Sequence, residues 1–283
     1  MTDKGNTTLK LLPFVVYVVL LFVLPAALVV SSAFQADSGG FTLENFSIFS
    51  QPGVTDAFWN SVWLSALTAV LGALFGAVVC FALLGCKDSG IIHRLVDAAS
   101  STLSQFGGVM LAFAFIATLG NQGLLTLLIK ALLHIDIYSR QMWLYTTMGL
   151  ILPYLFFQIP LMIITFYPAI SRLPRNLAEA VAMLGGNSWT YWRRVGMPVM
   201  FPSFMGGFLL LFANAFSAYA TAAALISQGS QIAPLQVRAA LVSETGLGSQ
   251  GAAGALALGM LGIMVLVVLV YALVERKASS WLA

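Results

Sequence analysis

Charge is what this sequence has least of. Asp, Glu, Lys and Arg make up 8% of its 283 residues, while apolar residues make up 60%; soluble domains carry about 25% charged residues. A chain so poor in charge cannot cover itself with a water-compatible surface, so lipid is the solvent for most of it. Cysteine is scarce too. Cys80 and Cys86 lie six apart, which matches neither a CxxC redox pair nor a zinc-binding spacing, and they read as packing residues. The only histidines, His93 and His134, form no HExxH pattern and are expected as exposed loop residues on opposite sides of a membrane, so no metal site is expected. No GxxxxGK[ST] phosphate cradle occurs, which leaves the chain without the means to hydrolyse ATP, and no enzyme is expected. Carboxylates are missing from the apolar runs, against the habit of ion-coupled carriers, which keep ionisable groups at membrane depth. The formal charge of +3 comes from dispersed basic residues, a pattern that gives nucleic acid no footprint and suits lipid head groups better.

What the sequence has instead is long apolar runs. A hydrocarbon core about 30 Å thick needs roughly 20 apolar residues in helix. Six runs approach or exceed that length, at about 11–33, 57–84, 103–120, 142–167, 197–226 and 252–274. They predict an all-α integral membrane protein with a single transmembrane domain over 1–283. The first run is longer than the apolar core of a removable signal peptide and is kept as a span. The apolar stretch 122–133 is too short to cross and reads as an interfacial helix. Basic residues resist translocation, so they mark the cytoplasmic loops. With the N-terminus inside, ten are cytoplasmic (Lys4, Lys10, Lys87, Arg94, Arg172, Arg175, Arg193, Arg194, Arg276 and Lys277) and three face out (Lys130, Arg140 and Arg238). Both termini are therefore expected in the cytoplasm. The first external loop, 34–56, carries Asp37, Glu44 and Asp56 without a basic residue, and it either meets an extracytoplasmic partner or is a solvated connector.

The internal loop 168–196 differs from the others because it contains a punctuated helix. Asn176 and Glu179 read as a capping box, with Pro174 excluding helix just upstream, and Gly185 and Gly186 stop it. Leu177, Ala180, Val181 and Leu184 fall at i, i+3, i+4 and i+7 and form one apolar stripe. Helices of about 12 residues or fewer are marginal in water, so this one needs a membrane surface or a partner's groove to lie on.

The loop resembles the hallmark of the membrane subunits of type I binding-protein-dependent ABC importers: Glu-Ala-Ala, three residues, Gly, then nine residues before an Ile-x-Leu-Pro-like end. Glu179, Ala180 and Val181 are followed by Gly185, and Val195, Gly196, Met197 and Pro198 come at the matching distance. Val181 replaces the second alanine, and Val195 and Met197 replace the usual Ile and Leu. The resemblance implies the type I importer permease fold, six transmembrane helices with a short cytoplasmic coupling helix, in a bacterial inner membrane. It also implies two ATP-binding cassette subunits that hold ATP and Mg, a second permease that is a copy or a paralogue, and an extracytoplasmic solute-binding protein. No cofactor is implied in this chain itself. Asn176, Leu177, Glu179, Ala180, Val181, Leu184, Gly185 and Pro198 become candidate coupling residues. In that reading Glu179 orients the helix end, Ala180 permits close approach and Gly185 makes the turn.

Neutral polar residues inside the apolar runs are candidates for a translocation path: Gln158, and Asn214, Ser217, Tyr219 and Thr221 within FANAFSAYATAAALI. Small and polar residues in an apolar helix suit either close helix packing or the wall of a water-filled path. The same text more loosely resembles the fifth span of the polyamine, iron and thiamine branch of the importers, which implies a small polar solute, polyamine-like or related. An ion-coupled carrier and a membrane scaffold that recruits a cytosolic partner are the alternative readings.

Overall fold

The structure is a computed structural model that describes residues 12–36, 39–86, 90–139, 142–173, 175–226, 232–242 and 250–279. The helices are α1 (Leu12–Ser32), α2 (Pro52–Leu84), α3 (Ile91–Leu103), α4 (Gly108–Leu119), α5 (Leu124–Leu133), α6 (Ile151–Ser171), α7 (Arg175–Met183), α8 (Ser188–Tyr191), α9 (Met197–Phe216), α10 (Tyr219–Leu225), α11 (Ala233–Leu241) and α12 (Gln250–Ser279). Among the described residues, six stretches are long and apolar enough to cross a membrane: Leu12–Ser32, Pro52–Leu84, Gly108–Leu133, Thr147–Ser171, Ser188–Phe216 and Gln250–Leu273. The chain divides into two compact units, Met1–Ala57 with Gln236–Val265, and Phe58–Leu235 with Leu266–Ala283.

In the first unit the connector after α1 is pinned in place. Phe34 stacks on Phe41 at 5.6 Å, and Asn45 Nδ2 donates to the carbonyls of Ala33 at 3.0 Å and Gln35 at 2.9 Å. Glycine makes room for this arrangement: a Cβ on Gly251 would lie 2.3 Å from Asn45 Nδ2, and one on Gly254 would lie 2.3 Å from Ser32 Oγ.

The second unit is held by close helix contacts. A Cβ on Gly76 of α2 would lie 2.5 Å from that of Met162 on α6, and one on Gly72 would lie 2.9 Å from that of Gln158. The Gly72-xxx-Gly76 spacing therefore lets the α2 backbone approach α6, as small-xxx-small patterns do in lipid, where van der Waals packing drives association. The buried core beside this seam includes Leu64, Leu111, Tyr154, Ala215, Ala222 and Leu225.

Two runs that read as continuous are broken. Leu103 ends α3, and α4 starts only at Gly108, with Gly107 extended between them. The stretch 122–133 follows α4 as a separate helix, α5, and is counted with it as one candidate span. The run 197–226 is interrupted at Ser217 and Ala218, between α9 and α10. His93 also departs from expectation, because it sits on α3 and not in an exposed loop. Its residue is buried, its ring meets Tyr167 edge-on at 4.9 Å, and its Nδ1 lies 2.9 Å from Asp97 Oδ2. The cause is the amphipathic character of α3, whose inner face carries His93 and Ser100 against α6.

Candidate coupling loop and membrane cavity

From α7 to α8 the loop between α6 and α9 is shaped by local hydrogen bonds. Helix α7 starts at Arg175, so Asn176 and Glu179 lie within it and the expected capping box at Asn176 is not formed. A helix can start at the residue after a proline without an Asx cap, and Arg175 is itself a good helix former. The C-terminal expectation has a direct counterpart. Gly185 is left-handed, with φ 76°, its N–H donates to Ala182 O at 3.0 Å, and the N–H of Gly186 donates to Val181 O at 2.9 Å. These bonds make a Schellman turn with glycine at the position that penalises a Cβ. Gly186 is required by space, since its Cβ would lie 2.6 Å from Val181 Cγ1. Asn187 then caps α8, its Oδ1 accepting from the N–H of Thr190 at 2.9 Å and from the Thr190 hydroxyl at 2.9 Å.

The stripe is split by this geometry. Leu177 and Val181 are half-buried, whereas Ala180 and Leu184 are exposed. Met183 and Leu184, at 87% and 88% exposure, put two large apolar side chains on the outside of the loop between the candidate spans, and Trp189, 72% exposed, stands at the start of the next one. Met183, Asn187 and Trp189 were not singled out from the sequence. The sidedness of Met183 and Trp189 depends on the path of the Gly-Gly turn, and only the Asn187-x-x-Thr190 spacing offered a local signal for the cap. Pro198 lies in the first turn of α9, directly after the π turn Trp192–Gly196.

A second polar feature lies where the two runs break. Gly108 is left-handed, with φ 73°, and its N–H donates to Thr221 Oγ1 at 3.0 Å, while the Thr221 hydroxyl donates back to Gly108 O at 3.2 Å. Tyr154, fully buried on α6, donates its hydroxyl to Ala218 O at 3.0 Å, at the break between α9 and α10. Backbone groups freed by each interruption are thus taken up by side chains, which is how irregular backbone survives away from water. Between the breaks lies a cavity of about 400 Å³ lined by Ser104, Gln105, Asn214, Ser217, Tyr219 and Thr221, together with glycine and alanine positions and Phe157. None of its lining side chains is charged.

Four of the five candidate path residues therefore meet in one cavity. Gln158 is elsewhere. It is completely buried against Gly72, its Nε2 donates to Thr68 Oγ1 at 3.1 Å, and its Oε1 has no hydrogen-bond partner among the described residues. Ser104 and Gln105 went unnoticed in the sequence because the run 103–120 reads as one helix. The Gly107-Gly108 pair was the signal that it is not.

Fold and site together define a multi-pass, all-α membrane protein with exposed apolar side chains in the loop after α6 and a polar cavity without charged lining between broken helices. The family described as binding-protein-dependent transport system inner membrane component matches residues 137–280, just over half of the chain, and the chain belongs to that family. The family is one of transport permeases and not of ATPases. Over 172 residues the chain is 24% identical to the probable sulfate transport system permease protein cysT of Chlorella vulgaris, and the match spans 60% of the length of each. Over 204 residues it is 25% identical to the spermidine/putrescine transport system permease protein PotB of Haemophilus influenzae, spanning 69% of each. Its fold is similar to a chain in the crystal structure of a bacterial alginate ABC transporter in complex with an alginate pentasaccharide-bound periplasmic protein. The TM-score is 0.74 at 14% identity, covering 96% of this chain and 94% of that one. The all-α importer permease fold expected from the sequence is the fold observed.

Proposed function

We propose that this chain is the permease subunit of an ATP-driven importer and provides the membrane path for a small polar solute delivered by an extracytoplasmic binding protein. Two ATP-binding cassette subunits with ATP and Mg, and a second permease, complete the machine. Both termini lie in the cytoplasm, on the side the basic residues mark. The observation that carries this reading is the pair of exposed apolar side chains Met183 and Leu184, in the loop between the candidate spans Thr147–Ser171 and Ser188–Phe216, with exposed Trp189 at the start of the second. Closure of the ATPases on ATP would push α7, and the path would open toward the docked binding protein; hydrolysis would reset it. The cavity supplies hydroxyl and amide groups and no charge, which suits passage better than tight selection, so selection rests with the binding protein. The named relatives fit that division, since sulfate is an anion and spermidine a cation. A polyamine-like solute fits the loose resemblance of the fifth span.

A pull-down of the tagged, detergent-solubilised chain tests the reading. Wild type is expected to retain an ATPase that Gly185→Asp loses or uncouples. If wild type brings down no ATPase in several mild detergents, the carrier or scaffold reading takes its place.

A further inference from the structure

Trp189 and Trp192 lie three residues apart and differ in exposure, the first 72% exposed and the second half-buried. Trp192 opens a π turn, Trp192–Gly196, that leads directly into α9. Such turns hold one extra residue and occur often at functional sites. The Trp192 ring meets Phe81 of α2 at 5.2 Å and 80°, Phe81 meets Phe166 of α6 at 6.5 Å and 69°, and Phe166 meets Phe204 of α9 at 5.6 Å and 79°. Each contact is edge-to-face, a geometry that constrains both distance and angle. Gly196 gives the first ring its place, since a Cβ there would lie 2.6 Å from Trp192 Cε3.

We propose that Trp192 is a positioning residue that transmits movement of the loop into α2 and α6 through this chain of rings. The proposal rests on the importer reading above. A loop fastened to the spans by backbone alone would absorb a push by bending at Gly185 and Gly186. A bulky ring wedged between Gly196 and Phe81 passes the displacement sideways, because packed interiors deform little. The two tryptophans then divide the work, with Trp189 facing the partner and Trp192 facing the spans.

The test is ATP hydrolysis and solute uptake by the assembled complex in proteoliposomes, with retention of the ATPase measured in parallel. Trp192→Ala is expected to keep the ATPase bound while uptake per ATP hydrolysed falls about three- to tenfold, the scale of one aromatic contact. Trp192→Phe restores most of the coupling, and Gly196→Val reproduces the loss by displacing the ring. Phe81→Ala combined with Trp192→Ala is no worse than either alone, the sign of a shared contact. Wild-type uptake per ATP in Trp192→Ala, fully additive losses, or shedding of the ATPase by Trp192→Ala would each overturn the proposal. Should Trp192→Ala not fold, Trp192→Phe is compared with Trp192→Leu, and equal coupling by the two overturns it as well. A wild-type complex without any ATPase is a separate result that removes the importer reading itself.

Discussion

Gly185 in the loop between α6 and α9 and Gly108 beside the cavity adopt the same left-handed backbone, φ 76° and 73°, and each uses it differently. Gly185 closes a turn whose bonds reach only from Val181 to Gly186, and nothing lies within 4 Å of where its Cβ would be. Gly108 presents its N–H and carbonyl to Thr221, 113 residues along the chain, and a Cβ there would find only Ala220 Cβ, at 3.6 Å. Neither position lacks room, so conformation and not crowding demands glycine at both. The difference lies in what is fastened: at Gly185 a loop to itself, at Gly108 one broken helix to another. Local strain in the loop should therefore disturb docking and leave the spans intact, whereas the same strain at the cavity should reach the bundle.

The largest effect expected from this contrast is at the long-range bond. Thr221→Val leaves the Gly108 N–H without its partner at a cost of about 1–3 kcal/mol, read as a lower Tm in detergent together with reduced uptake. Thr221→Ser, which keeps the hydroxyl, should stay near wild type. If valine and serine behave alike, the bond does not hold the break. Next come the paired glycine substitutions. Gly108→Ala and Gly185→Ala each force a Cβ into the left-handed region at about 1–2 kcal/mol, yet only Gly108→Ala should lower the Tm of the spans. Gly185→Ala should instead weaken ATPase retention at unchanged Tm, and equal Tm losses would erase the distinction between the two regions. The smallest effect is expected at the end of α5, where Lys130 Nζ in its last turn lies 2.8 Å from Asp136 Oδ2 and the Tyr138 N–H donates to Asp136 Oδ1 at 3.0 Å. The Lys130 hydrogen bond, and after it the Tyr138 amide, hold the Asp136 carboxyl below its ordinary range. A depressed folded-state pKa means that the contribution is complete above the unfolded pKa and is lost as pH falls through the folded one. Hydrogen exchange at the Tyr138 amide, corrected for its intrinsic pH dependence, should show protection fading on acidification in wild type. Asp136→Asn should be less protected at neutral pH and insensitive to acid.

The same contrast governs how much could be read in advance. Gly185 and Gly186 were legible as a stop because a Schellman turn is written within six residues, and the importer spacing from Glu179 to Pro198 is equally contiguous. The cap at Asn176 failed as a reading because helix starts are set by small differences among neighbouring residues, and α7 begins one residue earlier, at Arg175. Asn214, Ser217, Tyr219 and Thr221 were recognised as polar residues inside an apolar run, but that pattern fits packing and path alike. Gln158 carried the same signal and is buried against Gly72, bonded to a residue 90 positions away.

The sequence by itself determined the membrane class, the number of apolar runs and the local turn of the loop. Transfer of a run into lipid depends on its own side chains, and a short turn depends on adjacent backbone groups. Tertiary structure alone decided where the helices break, which polar residues share a cavity, that His93 is buried, and that Trp192 reaches Phe204 through two intervening rings. Those outcomes rest on partners such as Thr221 for Gly108 and Ala218 for Tyr154, separated by 113 and 64 residues, and only the packed helices bring them together.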